Sequence, residues 1–100
     1  MQQSVKDFIG KHHLQTDEQT RYIDLVSEVG ELGKEILKGA DYGKREYMHS
    51  DSATDELGDC LFSLLALCCE MEVDSQEALQ GAMIKYEARF QKRGNIGSGD

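Results

Sequence analysis

The sequence predicts an all-α fold, an antiparallel helical bundle. Three observations predict it. No proline interrupts the 100 residues. Apolar side chains recur at three- and four-residue intervals in four successive segments. Three of those segments open on a short polar residue with an acid or amide three positions on, the mark of a capped helix start.

The elements follow in order. Residues 2–14 suit a short first helix with Val5, Phe8, Ile9 and His12 on one side. Thr16 and Gln19 have capping-box spacing, with Asp17 and Glu18 in the first turn, where the helix dipole favours acids. They open a long second helix that stops near Gly39, a natural terminator. Residues 40–51, ADYGKREYMHSD, lack a period and read as a loop. Ser52 and Asp55 open a third helix to about Glu72, and Asp74 and Glu77 a fourth to about Lys92. Residues 1–93 are one domain; the tail GNIGSGD (94–100) has little to bury and reads as flexible. Short connections predict antiparallel neighbours.

Composition narrows the function. A net charge of −8 argues against a nucleic-acid groove, which needs a basic face. No apolar run approaches the roughly 18 residues of a membrane span, and no signal-peptide core is seen. The three cysteines, Cys60, Cys68 and Cys69, share one apolar helical segment. An odd number without framework spacing predicts reduced, packed thiols in a cytoplasmic protein. The third helix carries Leu57, Leu61, Leu64, Leu65 and Cys68 on one stripe, with Phe62, Ala66, Leu67 and Cys69 off it. A helix apolar on more than one side is buried on more than one side, so a homodimer or a dimer of dimers is expected.

The chemistry sits in the second and third helices. Glu28 and Glu31 project from one side of the second helix, about a turn apart, beside Leu25, Val29, Leu32 and Ile36. Glu56 and Asp59 repeat the spacing in DELGDCLFSLL. Packed together, the two helices bring four carboxylates face to face, and a metal ion or shifted protons must then balance them. Oxygen-only ligands favour Mg²⁺ or Mn²⁺ over zinc. No histidine follows either pair at di-iron spacing, and His12, His13 and His49 read as surface or loop residues. Gly30, Gly33 and Gly58 interleave with the acids, which suits close helix approach or room for a ligand. On the fourth helix Lys85 and Arg89 share a face that Arg93 continues. They suit phosphate charge, or simply the helix dipole.

SEVGELGKE, DELGDCLFSLLAL and ALQGAMIKYEARF, in that order, resemble the MazG-like nucleotide pyrophosphohydrolases of the all-α NTP pyrophosphatase superfamily. The resemblance covers about residues 20–93. It implies hydrolysis of a nucleoside triphosphate between the α and β phosphates, giving a monophosphate and pyrophosphate. It implies Mg²⁺ ligands at Glu28, Glu31, Glu56 and Asp59, phosphate contacts at Lys85 and Arg89, and helices paired across a dimer. Ser27 stands where members often carry a second acid, and Met83 where they often carry asparagine.

The mechanism expected is metal-assisted attack of water on the α-phosphorus, with Glu31 or Glu28 orienting or deprotonating the water. Phe8, His12 and Tyr22, or Tyr42 and Tyr47 in the loop, are candidate surfaces for the base. Lys34 and Lys38 either reach phosphates or pair with Glu31 or Glu35. Two other readings stay open. One keeps the fold and takes phosphoribosyl-ATP or a modified triphosphate. The other makes the chain an acidic helical interaction module without catalysis.

Overall fold

The computed structural model describes residues 1–94. Among them are four α-helices, one 3₁₀ turn and no strand: α1 (Gln2–Lys11), α2 (Glu18–Gly39), the turn Asp41–Gly43, α3 (Asp51–Glu70) and α4 (Ser75–Arg93). The flexible tail is expected over residues 94–100; all of it past Gly94 lies outside the described residues.

The helix starts are set by side-chain caps. Asp17, not Thr16, caps α2 and accepts from the Thr20 N–H at 2.7 Å. That bond holds the Asp17 carboxyl below its ordinary range. Ser50, not Ser52, caps α3 through the Ala53 N–H. Asp17 and Ser50 have the extended backbone that aims a side-chain oxygen at the first turn, whereas Ser52 already lies inside α3. Asp74 caps α4 as expected, accepting from Gln76 and Glu77. α1 is shorter than expected, ending at Lys11, and α3 ends at Glu70 rather than Glu72.

α2 and α3 pair antiparallel, and α1 lies over the second half of α3. Val5 and Ile9 of α1 meet Leu65 and Ala66 of α3, with Phe62 packed against them. The Phe8 ring meets Phe62 edge-on at 5.8 Å. The start of α2 is locked to the end of α3 by Arg21, a buried residue that sequence reading missed. Its guanidinium pairs with Glu70 at 3.5 Å and donates to the Leu14 carbonyl. Glu70 also accepts from the Thr16 N–H.

α4 departs from the expected arrangement. It packs along none of the other helices, and none of its residues is buried. The radius of gyration is 16.7 Å, against about 13 Å for a compact chain of this length. Leu79, Met83, Tyr86 and Phe90 form one exposed stripe along α4. Leu57, Leu61 and Leu64 of α3 are also exposed, while Leu65 beside them is buried. The apolar surplus that the third helix announces is therefore present, and the fourth helix adds to it.

Candidate metal centre

The antiparallel pairing of α2 with α3 brings together acids 28 to 31 positions apart in the chain. Carboxylate oxygens of Glu28, Glu56 and Asp59 all lie within 4.8 Å of one another. Glu28 and Glu56 are half-buried and Asp59 is exposed. Glu31, the fourth expected acid, is exposed one turn beyond Glu28 and lies outside this group of three. Its charge still reaches Glu56.

Electrostatics at the site run one way. The Glu56 carboxyl is raised above its ordinary 4.5, first by burial and then by Asp59, Glu28, Glu31 and Glu35. Glu35 was not read as part of the site. Its position two turns after Glu28 on the same side of α2 was the available signal. Arg21–Glu70 and Lys38–Glu35 are ion pairs, and neither includes Glu28, Glu56 or Asp59. Lys38 pairs with Glu35, one of the two partners expected for it.

The donor set fits a hard divalent cation. Every clustered ligand atom is a carboxylate oxygen. The nearest thiol, Cys60, is pushed up from 9.0 by burial and by Glu28, Glu56 and Asp59. Gly30, Gly33 and Gly58 have open space where a Cβ would stand. Close approach of α2 and α3 does not explain them, which leaves room beside the carboxylates or at an outer face.

A comparison with protein families matches the MazG nucleotide pyrophosphohydrolase domain over residues 15–94. The chain belongs to this family. Comparison with curated proteins and with solved structures returns no match. The MazG match spans both acidic helices and all of α4, and it leaves out α1.

The remaining expected residues are scattered more widely. Lys85 and Arg89 lie on α4 on either side of Tyr86, their charged groups 5.4 and 5.9 Å from its ring centroid. Because α4 stands off the body, the single chain does not pack them against α2 or α3. The Phe8 and His12 rings meet at 4.6 Å, tilted by 51°, and Phe8 also meets Phe62, which follows Asp59 by three residues on α3. Tyr22 is exposed on α2 and makes no ring contact with them. In the loop, the Tyr47 hydroxyl meets His49 Nδ1 at 3.0 Å, and His49 Nε2 meets the Thr54 hydroxyl. Tyr47 also lies over Gly39, where an added Cβ would come within 2.7 Å of its ring. Tyr47 and His49 thus tie the loop to α2 and α3. No described helix is long and apolar enough to cross a membrane.

Proposed function

We propose that this MazG domain is a Mg²⁺-dependent hydrolase of a nucleoside or deoxynucleoside triphosphate, cutting between the α and β phosphates to release a monophosphate and pyrophosphate. The observation that carries the reading is the group of three carboxylates, Glu28, Glu56 and Asp59, built from two helices.

These three residues hold Mg²⁺, with Mn²⁺ as a substitute, and Glu31 completes the set. The cation supplies charge neutralisation for the polyphosphate and a more acidic water. Glu31, exposed and outside the tight group, takes a proton from the attacking water; Glu28 is the other candidate base. Water oxygen bonds to the α-phosphorus, the bond to the bridging oxygen breaks, and pyrophosphate leaves. Lys85 and Arg89 neutralise the charge that grows on that leaving group. Phe8 and His12, with Tyr22 further along α2, offer rings to the base. The chain works as a homodimer or a dimer of dimers. The exposed stripe of α4 and the leucines of α3 support this, since a second copy would cover both.

A panel of triphosphates, phosphoribosyl-ATP among them, incubated with Mg²⁺ and analysed for products tests the reading. Monophosphate plus pyrophosphate is expected. Diphosphate plus phosphate overturns the cleavage position. No turnover from a folded protein supports the interaction module instead.

A further inference from the structure

The corner between α3 and α4 is held by a residue from the far end of the chain. The Gln2 side-chain amide donates through Nε2 to the Val73 carbonyl at 2.8 Å. Through Oε1 it accepts the Ser75 N–H at 2.7 Å. Asp74 already serves Gln76 and Glu77. Gln2 therefore caps the first-turn donor of α4 that Asp74 leaves over. A primary amide is suited to this, since it carries a donor and an acceptor side by side.

Backbone N–H groups of Glu72 and Val73 donate to the Cys69 and Cys68 carbonyls and close the end of α3; Gln2 ties that end to the start of α4. Glu72 has a left-handed backbone, φ 56°, which a non-glycine residue keeps only when its surroundings hold it there. An open groove of about 890 Å³, lined by Lys6, Leu61, Leu64 and Leu79 among others, runs beside the clamp. Beyond the corner, α4 does not pack along its own chain's helices.

We infer that Gln2 is a positioning residue for the proposed hydrolysis. Its amide fixes the direction in which α4 leaves the body, and so where Lys85 and Arg89 come to lie. The inference rests on the reading that those two cations meet the substrate's phosphates. Leverage gives the clamp its effect. Lys85 is about 15 Å along the helix from Ser75 at 1.5 Å per residue. A swing of about 20° at the corner would carry it roughly 5 Å, far beyond the ångström-scale tolerance of a reacting centre.

The test compares the full chain with Gln2→Ala and Gln2→Glu, well below their melting temperatures and with Mg²⁺ present. Hydrogen exchange at the amides of residues 73–77 should rise about 10-fold in Gln2→Ala, with α2 and α3 unchanged. Triphosphate kcat/KM should fall about 10-fold, while Mn²⁺ binding by the carboxylates holds. Gln2→Glu still accepts from Ser75 but cannot donate to Val73, so it should fall between. A loss of melting temperature alone, with unchanged kcat and KM, marks a purely structural residue and overturns the inference. Unchanged exchange at the corner overturns it too. Lys85→Ala and Arg89→Ala separate the two readings: if these keep full kcat/KM, the phosphate reading fails and the positioning role falls with it, although the clamp still governs exchange.

Discussion

Glu28 on α2 and Glu56 on α3 face each other across the helix pair, their carboxylate oxygens within 4.8 Å. Two half-buried acids at that separation repel unless a cation or a proton lies between them. Charge at this site is therefore coupled to folding.

The first prediction concerns pH. The folded Glu56 carboxyl is raised above its ordinary 4.5 by burial and by Asp59, Glu28, Glu31 and Glu35. A raised carboxyl favours the folded state fully below the unfolded value, and that contribution is lost as pH rises through the folded value. Without divalent cations, Glu56→Gln should thus melt higher than the parent chain at neutral pH. The gap should close on acidification toward 4.5. Adding Mg²⁺ should raise the parent's melting temperature and the variant's much less. Thermal scans across pH, with and without chelator, check this.

Activity should respond to the same acids. Glu31→Gln and Asp59→Asn should each lower kcat about 100-fold or more, the range for losing a general base or a charge-stabilising group. Far-UV circular dichroism should remain that of the parent. Full activity in both variants would remove these residues from the site.

Two glycine substitutions should act in opposite senses. Gly33→Ala meets open space and should stabilise α2 by up to about 1 kcal/mol. If substrate or a second copy occupies that space, activity or dimerisation falls at the same time. Gly39→Ala places a Cβ 2.7 Å from the Tyr47 ring and 2.8 Å from the Met48 carbonyl. It should cost about 1–3 kcal/mol, because packed side chains and backbone must shift. Chemical denaturation of both variants measures the contrast.

Arg21 supplies a test of the frame. Its guanidinium spans Leu14, within the first connection, and Glu70, at the end of α3. Arg21→Ala leaves Glu70 half-paired and should cost about 3 kcal/mol. Arg21→Lys should not restore it, since a single ammonium cannot reproduce the fork. A change of under about 0.5 kcal/mol, as for an ordinary surface residue, would remove Arg21 from this role.

Much of this was legible in the residues. The period of LVSEVGELGKEI and DELGDCLFSLL predicts α2 and α3 and four facing acids, Glu28, Glu31, Glu56 and Asp59; the structure gathers three of them and leaves Glu31 outside the group. Asp74 announced the start of α4. Other features depend on which chain segments meet in space. Arg21 resembles any basic residue near a helix start until Leu14 and Glu70 close around it. Glu35 becomes relevant only once α3 is laid against α2. The short link from Glu70 to Ser75 argued for a packed neighbour, but the corner at Glu72 sends α4 outward. Local pattern gives a helix and its apolar stripe; it does not say which surface that stripe covers.

The most direct measurement of the central claim is Mn²⁺ binding followed by electron paramagnetic resonance, with and without a non-hydrolysable α,β-linked triphosphate analogue. The parent chain should bind Mn²⁺, and the analogue should tighten that binding. Glu56→Gln should weaken it at least about 10-fold, as losing a ligand from a carboxylate site does. No bound Mn²⁺ in the parent chain, or equal binding in the variant, would contradict the account.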